Sequence, residues 1–199
     1  MPPASHRNTA MSQDATGKVY WSPYTNNRIP KRFAGDIDLT YEDSYRLWQG
    51  EPLRNFKRQV TLRFTDIGAR PDFPYTHPNV LVASSRVVDI MHALKANIET
   101  FRIEAREPGG EIATTQYYIV NLLEVVDCLD AKASRWSNDG MSVMRVAIDR
   151  GRIPAPCPIF RLKTMLTYML ISDGLKTMLE KVKATGWKYG DADEAKIFW

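Results

Sequence analysis

Apolar and polar positions follow two periods along this chain, and one arrangement of them occurs twice. Val80-Leu81-Val82-Ala83 runs into Ser84-Ser85, and Tyr168-Met169-Leu170-Ile171 runs into Ser172-Asp173. Apolar residues at helical spacing follow each: Val87, Met91 and Leu94 in the first copy, Leu175, Leu179 and Val182 in the second. At a constant offset of 88 positions Ser84 matches Ser172, Val87 matches Leu175, Met91 matches Leu179, Leu94 matches Val182 and Phe101 matches Tyr189. The pattern predicts a strand–turn–helix–strand unit used twice. Its first helix is expected over 85–96 and its second over 173–184, closed by Thr185-Gly186. Ser84 and Ser172 are expected as N-caps, because a serine oxygen can accept from an otherwise unpartnered amide of the first turn.

The same periods predict the other elements. Val19-Tyr20-Trp21 reads as a strand ended by Pro23. Thr40-Tyr41-Glu42-Asp43 opens a helix over 41–49 with a capping box, and Gly50 and Pro52 stop it. Tyr41, Tyr45 and Trp48 fall on one face of that helix and are expected in the core. Gln59 to Phe64 and Glu99 to Glu104 alternate as half-buried strands. Pro71, Pro74 and Pro78 predict a loop, and Pro108-Gly109-Gly110 a turn. Gln116 to Asp127 is a strand-rich segment in which Asn121, a poor strand former, points to a bulge or a side-chain bond to backbone. A polar loop over 134–140 containing Trp136, a strand over 141–148 and a last strand from Trp187 complete the reading. The fold class is α+β: a mixed or mainly antiparallel sheet with a few packed helices and two related strand–helix–strand units.

Composition narrows the classes. At 199 residues, with 44% hydrophobic and 25% charged side chains, the chain can bury a core. Residues 1–16 lack large apolar side chains and are expected as a disordered tail. Residues 17–77 form an aromatic-rich segment of the same domain, and 78–199 hold the repeated units. No run suits a membrane span, and the N-terminus has no apolar signal core, so a cytoplasmic protein is expected. Cys128 and Cys157 read as reduced small hydrophobes. The net charge of +4 lies wholly in residues 1–70, and its dense spots, Arg28–Arg32 and Arg54–Arg63, read as solvated surface rather than a nucleic-acid face.

The order Leu81-Val82-x-Ser84, Tyr117-Tyr118-Ile119-Val120-Asn121, Val125-Val126-Asp127-Cys128-Leu129-Asp130, Ile159-Phe160-Arg161-Leu162, Leu170-Ile171-Ser172-x-x-Leu175 and Thr185-Gly186-Trp187 resembles one protein family. It is the eleventh immunity family of bacterial polymorphic toxin systems, and the resemblance spans residues 78–190. It implies a cytosolic protein encoded beside a toxin, which it binds and blocks without turnover. The family supplies no catalytic motif to carry over.

The chemistry-bearing residues agree with a binder. His6, His77 and His92 have no ligand spacing, there is no Cys-x-x-Cys, and no phosphate loop is present, so neither metal nor cofactor is expected. Ser84 and Ser172 lack the flanking glycines of a nucleophile elbow. Glu124, Asp127 and Asp130 form the densest acidic group, and the plain reading is a turn whose Asp bonds backbone amides. Asp127 and Asp130, with Arg135 and Trp136 of the following loop and Trp21, are the candidate partner contacts, since interface energy concentrates in Trp, Tyr and Arg and complementary charge speeds association. The partner is a cognate toxin, not nucleic acid or membrane, and exposed sheet edges leave room for a homo-oligomer. Two alternatives stand beside this reading. One is an adaptor or chaperone for a secreted effector. The other is an enzyme using carboxylates near 124–130, which would gather Glu124, Asp127, Asp130 and His77 in one pocket.

Overall fold

The structure is a computed structural model that describes residues 19–25, 34–53, 56, 59–68, 70–138 and 143–192. The expected tail over 1–16, the basic spot Arg28–Arg32 and the apolar end Ile197-Phe198-Trp199 lie outside the described residues. In chain order the strands are β1 (Tyr20–Thr25), β2 (Ala34–Ile37), β3 (Thr61–Phe64), β4 (Tyr75–His77), β5 (Val82–Ser84), β6 (Ile98–Arg106), β7 (Tyr117–Leu122), β8 (Val125–Val126), β9 (Arg135–Trp136), β10 (Val143–Arg145), β11 (Ile159–Leu162), β12 (Met165–Ser172) and β13 (Trp187–Asp191). The α-helices are α1 (Tyr41–Gln49), α2 (Ser85–Ala93) and α3 (Asp173–Lys181). A six-stranded sheet has the order β4-β2-β3-β6-β7-β5, a five-stranded sheet the order β13-β1-β12-β11-β8, and β9 and β10 form a separate pair. Both larger sheets mix parallel and antiparallel neighbours, so the fold is α+β.

The sequence repeat is a structural repeat. β5-α2-β6 and β12-α3-β13 are each a strand, a helix and a strand parallel to the first, and in each an antiparallel strand lies between the two. That middle strand is β7 in the first unit and β1 in the second. Ser84 stands opposite Tyr117, and Ser172 opposite Tyr20, so two buried tyrosines occupy matching places. The helix N-caps have nearly the same backbone, with φ −68° and −70° and ψ 157° in both. The helices also end alike. Leu94 and Val182 are the C-caps, Lys95 (φ 59°) and Lys183 (φ 53°) take the left-handed conformation, and Ala96 and Ala184 donate back to Met91 and Leu179, each at 2.9 Å. These left-handed turns stop the helices earlier than the expected 96 and 184.

The two units share a core. Leu81, Ala83, Val87, Ile90, Met91, Leu94 and Ala96 meet their 88-offset counterparts Met169, Ile171, Leu175, Met178, Leu179, Val182 and Ala184 in one cluster, with α2 packed on α3. The outer faces of the sheets are covered by different means. α1 and the segment after it cover the six-stranded sheet through Leu47, Leu53 and Val60. The segment from Cys128 to Cys157 covers the five-stranded sheet through Leu129, Val143, Val146, Ile148 and Ile153. Both cysteines are buried and unbridged there.

Several expectations are corrected. β1 continues through Pro23 to Thr25, because from Ser22 on its only registered pairing is with β13, and a one-sided strand tolerates the missing N–H. The proline-rich loop contains β4, which pairs with β2. The polar loop around Trp136 is β9, one arm of a hairpin. The strand-rich run breaks at Leu123-Glu124 into β7 and β8. Asn121 makes no bulge in β7; its Nδ2 donates to the Glu51 carbonyl at 2.8 Å and to Glu99 at 3.1 Å. The largest correction is α1. Its capping box is present, with Asp43 N–H donating to Thr40 Oγ1 (3.1 Å) and Thr40 N–H to Asp43 Oδ2 (3.2 Å). Its buried residues, however, are Ser44 and Leu47, and Tyr41 and Tyr45 face outward at 75% and 47% exposure. The narrow buried stripe suffices because Ser44 answers its own hydroxyl by donating to the Thr40 carbonyl at 2.9 Å.

Candidate functional site

Three of the five sequence candidates, Asp130, Arg135 and Trp136, fall on the segment that covers the five-stranded sheet, and Asp127 immediately precedes it. Asp130 bends the chain there: its Oδ1 accepts from the amides of Lys132 and Ala133, both at 3.0 Å. This is the turn-forming role the spacing predicts, and it leaves that carboxylate half-buried. The bend leads into β9, where the buried Ser134 ties the strand to Ala147 by accepting its amide at 2.9 Å. Arg135 and Trp136 then project outward, opposite Arg145 and Val143 of β10. Trp136 is 38% exposed, with its indole N–H donating to the Ala131 carbonyl at 3.1 Å, and Met144 beside it is 50% exposed. Lys132 and Arg145 are exposed on the same hairpin. The hairpin thus presents a tryptophan, a methionine and two arginines, residue types enriched at protein interfaces.

Asp127 is exposed just before this segment and is ion-paired with Lys163 at 3.9 Å. Trp21 lies elsewhere. Tyr20 points into the core under the hairpin segment, so its neighbour Trp21 emerges on the opposite face of the five-stranded sheet. There its indole N–H donates to Asp173 Oδ1 at 3.0 Å, and the Lys176 ammonium sits 4.3 Å from its ring centroid. The structure thus puts Asp130, Arg135 and Trp136 on one turn and hairpin, leaves Asp127 with Lys163 at the end of the preceding stretch, and sets Trp21 on the other face of the sheet.

The four residues of the enzyme alternative, His77, Glu124, Asp127 and Asp130, take separate places and partners. His77 is exposed on β4, the edge of the six-stranded sheet. Glu124 accepts from Asn97 Nδ2 at 3.2 Å, Asp127 pairs with Lys163, and Asp130 holds its turn. Burial, with Asp127 and Asp149 nearby, pushes the Cys128 thiol up to about 11, which keeps it protonated and poorly nucleophilic at neutral pH.

Three features escaped the sequence reading. The first is the ridge on α1, where Tyr41 stacks on Tyr45 (centroids 6.4 Å apart, planes 17° apart) and meets Trp48 edge to face at 6.3 Å. The available signal was the use of tyrosine rather than leucine or phenylalanine, amid Asp38, Glu42 and Asp43. The second is Asp72, a buried carboxylate holding Ser84 Oγ (2.6 Å), the Arg86 guanidinium at both oxygens (2.6 and 2.5 Å) and the Thr185 amide (2.8 Å). Ser84 therefore gives its hydroxyl to Asp72 and makes no cap bond, whereas Ser172 caps its helix by accepting from Leu175 N–H at 3.3 Å. The third is Arg161, 3% exposed, whose Nη1 donates to the Leu166 carbonyl at 2.8 Å and whose Nε has no hydrogen-bond partner among the described residues. Burial lowers its pKa to about 10, which leaves it charged at neutral pH.

The comparisons with known proteins bear on the chain as a whole. The model of a family described as an immunity protein family, Imm11, matches residues 7–194. The matched span takes in both units, the β9–β10 hairpin, α1 and the N-terminal strand β1. No curated protein matches the sequence.

Proposed function

The chain belongs to the Imm11 immunity protein family, and on that premise we propose that it binds a cognate bacterial toxin and neutralises it in the cytoplasm of the producing cell. The match over nearly the whole chain is the observation that carries this reading. The surface chemistry supports it: the exposed side chains of β9 and β10 suit recognition, and the carboxylates near 124–130 are spent on a turn, an ion pair and a side-chain amide. Neutralisation is by occupancy, without turnover. The contact includes Arg135 and Trp136, with Asp127 and Asp130 at its border, and the toxin is encoded nearby.

The test is co-expression with the product of the adjacent gene, scored for growth and for co-purification. The expected outcome is rescue with a stoichiometric complex, and a loss of affinity of about tenfold or more in Trp136→Ala, as for an anchoring interface tryptophan. Failure of the unaltered chain both to rescue growth and to form a complex would remove the reading.

A further inference from the structure

We propose that the outer face of α1 is a docking surface for a basic protein segment bearing Arg or Lys side chains. Assigning that segment to the toxin rests on the immunity reading; the surface and its chemistry do not.

Three observations converge on this face. The first is that the outer tyrosines of the aromatic ridge are not what anchors α1. α1 is anchored from beneath by Leu47 and Ser44, and Trp48 is fixed through its indole N–H on the Asn79 carbonyl at 2.8 Å. Tyr41 leaves three quarters of its area exposed and Tyr45 about half, so both present large aromatic area at the surface. Contiguous exposed aromatics of this kind mark interaction sites.

The second is that the ridge is held rigid. The capping box fixes the start of the helix, and Gly50 (φ 68°) fixes its end against the Leu122 carbonyl, where a Cβ would stand only 2.7 Å from that oxygen. Tyr41 contacts both Tyr45 and Trp48, so the rings support one another before any partner arrives. A surface ordered in advance loses less entropy on binding.

The third is charge. Between Asp38 and Glu51 the chain carries four carboxylates, Asp38, Glu42, Asp43 (which also closes the capping box) and Glu51, against the single guanidinium of Arg46. The chain as a whole is +4, so this segment is acidic against the general trend. Aromatic faces among carboxylates attract cations: the rings offer their negative faces, and the carboxylates draw the partner in and fix its register. The protein pairs these groups internally as well, with Arg70 4.2 Å from the Phe64 centroid and Lys176 4.3 Å from that of Trp21. The hairpin face, with Lys132 and Arg135, calls for the opposite charge, so the two faces are not interchangeable.

The test uses the full chain and a flexible synthetic peptide of alternating Arg and Gly, about twelve residues long, with a Glu-Gly peptide of equal length as control. Binding is followed by NMR shifts of the tyrosine rings and tryptophan indoles. We expect saturable binding of the Arg-Gly peptide, with a Kd on the order of 100 µM that weakens as salt is raised, and shifts centred on Tyr41, Tyr45 and Trp48. Tyr41→Ser with Tyr45→Ser should weaken it by about tenfold. Tyr75→Ser, another exposed tyrosine but on the edge strand β4, should leave it unchanged. Absence of saturable binding, equal binding by the double variant, or equal response of the α1 rings to the Glu-Gly peptide would each overturn the proposal. The double variant is then carried into the growth assay: loss of rescue identifies the toxin as the occupant, and full rescue removes it from that role. A failure of the unaltered chain to rescue would sink the toxin reading and leave the peptide result standing.

Discussion

At position 72 one carboxylate joins three separate parts of the chain. Its partners come from the end of β5, the first turn of α2 and the stretch that leads into β13. Burial alone would push its pKa up, but hydrogen bonds from Arg86, Ser84 and the Thr185 amide, with the Arg86 charge, outweigh that and hold it near 2. A carboxylate depressed in the folded state contributes stability that is complete above its ordinary value near 3.8 and is lost as pH falls toward 2. The size is about 2 kcal/mol. Asp72→Asn should therefore lower unfolding free energy at pH 7 by about that amount and flatten the acid limb, as urea titrations at pH 7 and pH 3 would read. Arg161 carries the opposite expectation. Its charge is buried with a single backbone acceptor shown, so Arg161→Met should be neutral or stabilising by about 1 kcal/mol in the same titration. Neither site was legible in the sequence. Asp72 sits between Pro71 and Phe73 with its partners up to 113 positions away, and Arg161 stands in an apolar run that reads simply as a strand.

The helices show what periodicity conveys and where it stops. α2 and α3 were legible because their buried residues recur at helical spacing and the two stripes match position for position. Their last residues were not, because the left-handed stop falls on lysines rather than glycines. A lysine there pays for its Cβ, so Lys183→Gly should stabilise by about 0.5–1 kcal/mol, measured as a raised Tm. The caps separate the two copies. Ser172→Ala should cost about 1 kcal/mol as a lost cap, while Ser84→Ala should cost about 1.5–3 kcal/mol because it strips a hydrogen bond from a buried carboxylate. For α1 the ends were legible and the buried face was not. Aromatic size marked Tyr41 and Tyr45 for the core, yet the helix docks through Leu47 and a small, self-satisfied serine. Thermal melts should register this: Tyr41→Ser within about 0.5 kcal/mol of the parent, and Leu47→Ala lower by about 2–5 kcal/mol.

The whole molecule is two like units built by unlike routes. Their strand–helix–strand halves were legible as an 88-residue offset, but their middle strands were not, because β7 follows its unit directly while β1 comes from the opposite end of the chain. The candidate contacts on the hairpin were legible as residue types, Trp136 and Arg135, but their grouping depends on a turn and a pairing that join positions 130 to 147. If β1 is integral to the second unit, a chain beginning after Thr25 should lose its cooperative thermal transition, since β12 and β13 would face each other across a missing strand. The placement of β1 also has a consequence for birth on the ribosome. The first unit can close as soon as β7 has emerged. β1 leaves the exit tunnel before every other described strand, and its neighbours Ile171 and Asp191 are made some 150 and 170 residues after Trp21. At bacterial elongation rates that wait is on the order of 10–30 s. Throughout it the nascent chain carries Tyr20 and Trp21 without the strands they pair with, so the last of the described strands to be translated locks in the first of them.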